Sequence, residues 1–360
     1  MSKSHHRSVW WSWAVSVLAV VALGLGLDAG IGIAPATASP PTPPLDRFGD
    51  RPPVPLDPSA MVGQVGPQVV NIDTKFGYNN AVGAGTGIVI DPNGVVLTNN
   101  HVISGATDIS AFAVGNGQTY AVDVVGYDRT QDIAVLQLRG AAGLPTAAIG
   151  GDARVGEPIV ALGNAGGQGG TPSAVAGKVV ALNQSVSATD TLTGAQENLG
   201  GLIQADAPIR PGDSGGPMVN NAGQVIGVDT AATDSYKMSG GQGFAIPIGR
   251  AMGVAGQIRS GAGSNTVHIG PTAFLGLGVM DNNGNGARVQ RVVDAGPAGA
   301  AGIAAGDVIT GIDNVAITGA TSMTEALVPH HPGDTIALHY RAGDGAERTM
   351  NITLAEGPPA

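Results

Sequence analysis

One serine lies between glycines in the run Arg-Pro-Gly-Asp-Ser-Gly-Gly-Pro at 210–217. Glycine lets the backbone turn sharply and approach another group closely. A serine hydroxyl attacks a carbonyl group only when a base takes its proton, and the oxyanion that forms needs hydrogen-bond donors. This run can supply Ser214 as a nucleophile and the backbone N–H groups of Gly212 and Ser214 as an oxyanion hole.

A serine nucleophile needs a base, and His101 is the only histidine between residues 7 and 267. It follows the apolar run Val95–Thr98, which predicts a strand. A lone histidine at a strand end is by default a satisfied structural residue. Because His101 is the only histidine in the same region as the nucleophile run, we predict that it is the general base.

The base in turn needs an acid that holds the imidazole in one tautomer and stabilises the imidazolium. Asp132 opens a nearly all-apolar strand at 133–138, where a carboxylate without a partner is costly to bury. Asp123 and Asp128 are nearby alternatives in more polar, turn-like settings. A strand-end cap is the structural alternative for Asp132, and we predict the catalytic role.

Two other motif matches predict different chemistry and fail on their context. Ser214 fits the Gly-x-Ser-x-Gly pattern of α/β-hydrolases, but that fold needs a helix after the serine and the order Ser–Asp–His. Here Pro217 and the β-like Met218 and Val219 follow the serine. The glycine-rich run at 83–87 leads into a strand, so we interpret it as close packing or backbone turning and not as a nucleotide loop.

No motif supports metal, cofactor or nucleic-acid chemistry. The pair His330-His331 and the separate His339 lack metal-ligand spacing with nearby acids, and we interpret the pair as a solvated loop. The 360 residues contain no cysteine, which excludes disulfides, thiol catalysis and thiolate metal sites. The 27 acidic residues outnumber the 17 basic ones, and no long basic run is present, which argues against a nucleic-acid surface.

The candidate catalytic residues lie among short apolar runs separated by turn residues, a pattern typical of antiparallel β structure. A hairpin is predicted at 87–98 with its turn at 91–94. Further strands are predicted at 69–73, 119–127, 133–138, 158–162, 177–182, 202–206, 224–230 and 243–248. The one long helix is predicted at 248–258, from helical spacing of apolar residues. A closed barrel or a sandwich, with this helix packed against it, accounts for the pattern.

A second, smaller domain is predicted from residue 272. Its strands are predicted at 274–280, 288–293, 307–312, 335–340 and 348–354, with a helix after Ser322, which has capping-box spacing with Glu325. The predicted organisation is a signal peptide at 1–38, a proline-rich disordered lead-in at 39–59, a catalytic domain at 60–260, a linker at 261–271 and the small domain at 272–356.

The first 38 residues have the features of a secretory signal. Lys3 and Arg7 precede an apolar stretch at 9–27, and Ala36-Thr37-Ala38 provides a small-x-small cleavage site. We predict cleavage after Ala38 and a secreted or cell-envelope protein. The uncharged run is long enough that an uncleaved membrane anchor remains the alternative.

Four motifs in a fixed order carry a resemblance to a known family. They are Thr-Asn-Asn-His-Val at 98–102, Asp-Ile-Ala-Val-Leu at 132–136, Pro-Gly-Asp-Ser-Gly-Gly-Pro at 211–217 and Gly-Phe-Ala-Ile-Pro at 243–247. The chain resembles the HtrA-like branch of the trypsin-fold serine proteases, in particular the exported PepA-type proteases of mycobacteria. The resemblance implies a mostly β fold, in which a trypsin-like double β-barrel with its cleft between the barrels precedes a small α+β PDZ domain.

The run Phe274-Leu275-Gly276-Leu277 resembles the carboxylate-binding loop of HtrA-type PDZ domains. The resemblance implies that the amides of Leu275, Gly276 and Leu277 hold the terminal carboxylate of a peptide. That peptide would add as a strand beside residues 277–280 and pack against the helix after Ser322. The alternative is an ordinary buried strand.

The chain departs from the family before the nucleophilic serine. HtrA enzymes commonly carry asparagine there, whereas this chain has Asp213, as digestive trypsin-like enzymes do. In those enzymes the aspartate pairs with a new N-terminal amine after zymogen cleavage, which removal of the signal peptide does not provide. We predict that Asp213 has another partner and that no zymogen cut is needed.

A second departure concerns the residue that precedes the cleaved bond, called P1. In trypsin-like enzymes an acid six residues before the serine selects basic P1 side chains, and that position here is Pro208. The expected pocket walls at 229–233 and 241–244 are small apart from Asp229. We predict a small or medium apolar P1 residue.

The resemblance also implies the biological role and the partners. It implies an endopeptidase that cleaves unfolded or damaged polypeptides, a PDZ domain that captures C-terminal peptides or regulates the protease, and a homotrimer, since relatives are often trimers. Two rivals stay open. In the first, the chain is a latent protease that acts mainly as a PDZ-mediated binding or chaperone protein. In the second, it is a soluble esterase that hydrolyses small esters only.

Overall fold

The computed structural model describes residues 56–78, 80–189, 196–230 and 242–360. The predicted signal peptide and most of the predicted lead-in lie outside the described residues. All the described residues belong to one compact unit. None of the helices in these ranges is long and apolar enough to span a bilayer.

Six antiparallel strands form the first barrel, in the order β5-β4-β1-β2-β3-β6, and pairing between β5 and β6 closes it. They are β1 (Val69–Phe76), β2 (Ala81–Asp91), β3 (Val95–Thr98), β4 (Asp108–Ala113), β5 (Gln118–Asp128) and β6 (Ile133–Leu138). The predicted hairpin at 87–98 is confirmed as β2 and β3. The glycine-rich run lies inside β2, where a Cβ on Gly87 would meet Val96 Cγ1 at 2.5 Å. The close-packing interpretation of this run is therefore confirmed.

A second closed barrel follows, in the order β10-β11-β12-β9-β8-β7. Its strands are β7 (Pro158–Gly163), β8 (Ser173–Thr189), β9 (Gln196–Ala205), β10 (Pro217–Val219), β11 (Val225–Thr230) and β12 (Gly243–Pro247). The short β10 begins at Pro217, the last residue of the run at 210–217, which confirms that a strand and not a helix follows Ser214.

Three helices accompany the barrels: α1 (Pro58–Val65), α2 (Asn100–Ile103) and α3 (Ile248–Arg259). The predicted long helix is confirmed as α3, which packs into a core shared with residues of both barrels. Its buried face includes Ala251 and Val254, whereas the predicted face contained Met252, which is only partly buried. The helix α1 was not predicted, because its glycine and glutamine weaken the apolar period.

Residues 267–269 form a strand inside the segment predicted to be a linker. This strand, β13 (Val267–Ile269), adds to the outer edge of β5. Composition alone predicts a loop here, because two apolar residues and a histidine in a segment rich in glycine and serine are too few to show a strand or helix pattern.

A five-stranded sheet in the order β15-β16-β17-β19-β20 forms the small domain, with β18 beside β17 and a separate pair of β14 with β21. The elements are β14 (Thr272–Phe274), β15 (Leu277–Asp281), β16 (Ala287–Val292), α4 (Pro297–Ala300), β17 (Val308–Ile312), β18 (Val315–Ala316), α5 (Ala320–Leu327), β19 (Thr335–Arg341), β20 (Glu347–Thr353) and β21 (Ala355–Gly357).

Two predictions about this domain were wrong in detail. The strand predicted at 274–280 is broken at Gly276, whose φ of 82° lies in the left-handed region. The helix begins at Ala320 and not after Ser322. Ser322 instead lies in its first turn, where its hydroxyl accepts the N–H group of Gly319 at 3.0 Å.

Candidate active site

The imidazole of His101 lies against the carboxylate of Asp132. His101 Nδ1 is 2.8 Å from Asp132 Oδ2 and 3.0 Å from Oδ1, and the backbone N–H of His101 donates to Oδ1 at 2.9 Å. A carboxylate accepts only, so this contact assigns the proton of a neutral imidazole to Nδ1 and leaves Nε2 as an acceptor. The structure thus brings together the two residues predicted as base and acid.

Local backbone geometry presents both side chains at strand ends. His101 lies in the one-turn helix α2, directly after β3, and Asp132 precedes β6. Asp132 has a φ of 53°, a left-handed conformation that aspartate tolerates better than most residues. The side chain of Asn99 donates to the Asp132 carbonyl oxygen at 2.9 Å. Since β3 and β6 are neighbours, the two strand ends meet at one rim of the first barrel.

Residues 210–217, which we call the nucleophile loop, bring Ser214 from the second barrel to the first. The Ser214 carbonyl oxygen accepts the N–H group of Thr86 at 2.8 Å. A Cβ on Gly215 would lie 2.1 Å from the Thr86 carbonyl oxygen and 2.2 Å from Thr98 Oγ1. Only glycine fits there, and its φ of 84° also favours glycine. The loop that carries Ser214 therefore touches the strand end that carries His101.

Thr86 connects the two barrels, and its role was not predicted from the sequence. Its hydroxyl donates to the Gly212 carbonyl oxygen at 2.7 Å and accepts the N–H group of Asn164 at 2.9 Å. Its carbonyl oxygen accepts the Thr98 hydroxyl at 2.7 Å. Thr86 is fully buried inside the glycine-rich run. A lone threonine among packing glycines was the available signal, because a buried hydroxyl requires partners.

The peptide unit between Pro211 and Gly212 sets the direction of one oxyanion-hole donor. The Pro211 carbonyl oxygen accepts the N–H group of Gly166 at 2.8 Å. In a trans peptide the N–H group points opposite to the carbonyl group, so the Gly212 N–H group points away from Gly166. The φ of Gly212 is 96°, in the left-handed region that glycine adopts readily.

Asp213 has the alternative partners that the sequence analysis expected. Its Oδ2 accepts the backbone N–H group of Arg210 at 2.9 Å, and its Oδ1 accepts the Ser173 hydroxyl at 3.3 Å. Burial raises the pKa of Asp213, and these two hydrogen bonds oppose that rise. The contacts tie the aspartate to its own loop and to β8.

Asp229 is a second buried acid behind the nucleophile loop. Its backbone holds the loop, because its carbonyl oxygen accepts the Gly215 N–H group and its N–H group donates to Gly216, both at 2.8 Å. Its side chain is fully buried, and neither carboxyl oxygen has a hydrogen-bond partner among the described residues. Burial, with a contribution from the charge of Asp213, raises the pKa of Asp229 well above its ordinary value. A protonated Asp229 avoids an uncompensated buried charge.

The substitution Asp229→Asn should raise the melting temperature at about pH 8 and leave it nearly unchanged at about pH 4. The raised pKa means that the folded state keeps a proton that the unfolded state releases. The stability this provides is complete below the unfolded pKa of about 3.9 and is lost as the pH rises through the folded pKa. An amide is neutral at every pH, and each kcal/mol recovered raises the melting temperature by about 2–4 °C.

The exposed Asp152 provides the matched control for this measurement. For Asp152→Asn, the difference in melting temperature from wild type should not change between the two pH values. If Asp229→Asn melts below wild type at both pH values, the buried site requires the carboxyl group itself and the interpretation is wrong.

The loop between β14 and β15 contains the three residues whose amides were predicted to bind a carboxylate, and hydrogen bonds orient two of its peptide groups. The Leu275 carbonyl oxygen accepts the N–H group of Ala298 at 3.0 Å, and that of Gly276 accepts the N–H group of Val293 at 2.9 Å. The N–H groups of Gly276 and Leu277 belong to the same two trans peptides and therefore point to the opposite side. On that side β15 is the edge of the sheet, and α5 packs beside it.

The described residues hold no cluster of three or more histidine, aspartate or glutamate side chains that could bind a metal ion. The two histidines that were predicted to form a solvated loop pair differ in exposure. His330 is half-buried, whereas His331 is exposed and its ring stacks on His268 with centroids 5.1 Å apart.

Comparisons with known protein families support the identity of both domains. Residues 85–228 match the family described as a trypsin-like peptidase domain, and residues 273–354 match the PDZ domain family. These matches contain all the predicted site residues of the two domains.

Three curated relatives give the extent of the similarity. Serine protease PepD from Mycobacterium tuberculosis is 34% identical over 316 residues, which are 82% of this chain and 65% of the relative. Serine protease Do-like HtrA from Lactococcus lactis subsp. cremoris is 32% identical over 292 residues, covering 76% and 70%. A probable periplasmic serine endoprotease, DegP-like, from Brucella suis is 34% identical over 292 residues, covering 78% and 54%. The chain thus spans between half and about seven tenths of the length of these relatives.

Proposed function

Because the chain belongs to the HtrA family of trypsin-like serine proteases with a PDZ domain, we propose that it is an exported endopeptidase that cleaves unfolded or damaged polypeptides. The observation that carries this proposal is the contact of His101 Nδ1 with both oxygens of Asp132, at the rim that the Ser214 loop touches. A histidine with this tautomer can accept a proton at Nε2.

The proposed reaction begins with proton transfer from Ser214 Oγ to His101 Nε2 as the oxygen attacks the scissile carbonyl carbon. The carbonyl oxygen becomes an oxyanion, which the N–H groups of Gly212 and Ser214 stabilise. Asp132 stabilises the imidazolium, which then protonates the leaving amine. Water attacks the acyl-enzyme with His101 again as the base, and the acid product leaves. These residues complete the cycle without a metal or a cofactor.

The specificity proposal is a small or medium apolar P1 residue. Pro208 stands where an acid would select basic side chains, and Asp229 points its side chain into the fully buried interior. The remaining wall residues predicted at 231–233 and 241 lie outside the described residues. A carboxyl group that is fully buried presents no exposed charge to an arginine or lysine side chain of the substrate.

The PDZ domain is proposed to capture peptides with a free C-terminus. The amides of Leu275, Gly276 and Leu277 would hold the terminal carboxylate, and the peptide would pair with the open edge of β15. The proposal of export comes from the signal features of residues 1–38, and a relative whose name describes it as periplasmic supports it.

The experiment that tests this function uses residues 39–360 with unfolded casein, a small ester and a fluorophosphonate label. We expect casein cleavage, with the label on the tryptic peptide that contains Ser214. Turnover of the ester without casein cleavage would instead support an esterase. Neither activity, together with binding of a peptide with a free C-terminus but not of its amidated form, would support the latent binding protein.

A further inference from the structure

The chain after β21 leaves the PDZ domain and returns to the first barrel. Residues 358–360, which we call the C-terminal strap, lie against the segment that contains His101. The Pro359 carbonyl oxygen accepts the N–H group of Gly105 at 2.7 Å, and the backbone O atom of Ala360 accepts the side-chain amide of Asn100 at 3.0 Å. Pro359 is buried, and Ala360 packs against the core of the first barrel.

These two hydrogen bonds bracket the short helix α2. Asn100 is its first residue, and Gly105 lies two residues beyond its last. A helix of four residues has almost no hydrogen bonds of its own, and here the Ser104 N–H group donates to the Asn100 carbonyl oxygen at 2.9 Å. The direction in which α2 presents His101 therefore depends on contacts from outside the helix.

Asp132 provides the other external contacts to this segment. It accepts the backbone N–H group of His101, and its own carbonyl oxygen accepts the side chain of Asn99. The side chains of consecutive residues of a helix point in different directions. Asp132 thus holds the segment through residues 99 and 101, and the strap holds it through residues 100 and 105.

The strap is also continuous with the PDZ domain. The strand β21 pairs with β14, with Phe274 opposite Ala355. A Cβ on Gly357 would lie 2.3 Å from Phe274 Cβ, so the two strands are in close contact. Phe274 directly precedes the proposed carboxylate-binding loop.

A buried phenol joins the strap to the barrel. Tyr127 on β5 is fully buried, and its hydroxyl is 3.2 Å from the Thr272 hydroxyl on β14. Burial raises the pKa of Tyr127, and hydrogen bonds with Thr272 and with the backbone of Ala360 oppose that rise. One tyrosine therefore contacts the first strand of the PDZ domain and the end of the strap.

We propose that the C-terminal strap positions His101 for catalysis, with Asn100 as the positioning residue that receives its contact. This inference rests on the proposed function, in which His101 is the base. It assigns to residues 358–360 the role of orienting the catalytic histidine, which neither domain could perform alone. Docking of the PDZ domain, through β14, β21 and the strap, then fixes the orientation of α2.

The test compares wild type with Asn100→Ala, with a chain that ends after Gly357, and with both changes together. Each single change should lower kcat on a peptide substrate by roughly 10- to 100-fold and leave KM unchanged, because a small misplacement of a catalytic group is costly while substrate contacts remain. Because the truncation already removes the contact between Asn100 and Ala360, the double change should cost little more than the truncation alone. The exposed Asn351 on β20 gives the matched control, and Asn351→Ala should keep wild-type kcat.

A readout that does not depend on turnover is the proton resonance of His101 Nδ1–H at low field. In wild type we expect a sharp signal from the hydrogen bond to Asp132, and in each variant a broadened or shifted one. Wild type that cleaves casein while both single variants keep full kcat and an unchanged resonance would overturn the strap proposal alone. Wild type that never cleaves would overturn the proposed function, and the resonance would still decide whether the strap orients His101.

Discussion

Replacing Ser214 with alanine is expected to abolish proteolysis, with kcat falling by about 10⁶-fold. The change removes only the hydroxyl oxygen, and alanine keeps the backbone contacts of the loop. The Ser214 carbonyl oxygen would still accept the N–H group of Thr86, and Gly215 would still fit against Thr98. The loss is therefore a loss of the nucleophile and not of the fold. Casein cleavage, fluorophosphonate labelling and the melting temperature measure the three consequences separately.

The matched control for this change is Ser59→Ala, at an exposed position in α1. It should keep wild-type cleavage and labelling. If Ser214→Ala retained more than about a hundredth of wild-type activity at an unchanged melting temperature, another residue would be the nucleophile, since loss of the attacking oxygen is not compensated by binding.

The sequence could single out candidate catalytic residues because the signal for each of them is local. A serine among glycines, a single histidine and an aspartate before an apolar strand are each visible within a few residues. The order of the three residues also selected the fold over the α/β-hydrolase alternative. The structure adds contact distances for His101 and Asp132, which no residue type can give.

The residues that the sequence could not predict are those whose partners lie far along the chain. Thr86 contacts Gly212 from 126 residues away, and Asn100 contacts Ala360 from 260 residues away. Their own sequence neighbourhoods carry no sign of these partners, because long-range contacts are set by how the barrels and the PDZ domain pack. The strand β13 was missed for the same reason, since only its pairing with β5 makes it a strand.

The two buried acids show a further limit of sequence reasoning. Asp213 and Asp229 are the same residue type and both are buried, yet the carboxyl group of Asp213 has two hydrogen-bond partners and that of Asp229 has none among the described residues. The position of Ser173, on a distant part of the chain, contributes to this difference. A sequence indicates that a carboxyl group is present, and only its surroundings determine whether it carries a charge.

Asp132→Asn is the second change with a large expected effect, a fall in kcat of about 10⁴-fold with little change in KM. Asp132 Oδ1 accepts from both the backbone N–H group and the Nδ1 of His101. The asparagine side chain keeps one oxygen acceptor, but an NH₂ group replaces the other oxygen. This NH₂ group then faces either the imidazole or the backbone N–H group of His101. If the NH₂ group faces Nδ1, the histidine must accept there and place its proton on Nε2, where it cannot take the serine proton. The imidazolium also loses its counter-charge.

The rival acid from the sequence provides the control for this last prediction. Asp123 lies on the exposed surface of β5, paired with Arg139. Asp123→Asn should keep wild-type kcat, because an exposed ion pair contributes little to stability and this one is remote from the base. The low-field Nδ1–H resonance of His101 should disappear in Asp132→Asn and persist in Asp123→Asn. If the two variants lost activity equally, Asp132 would not be the acid of a triad, since its direct contact with His101 would then have no catalytic consequence.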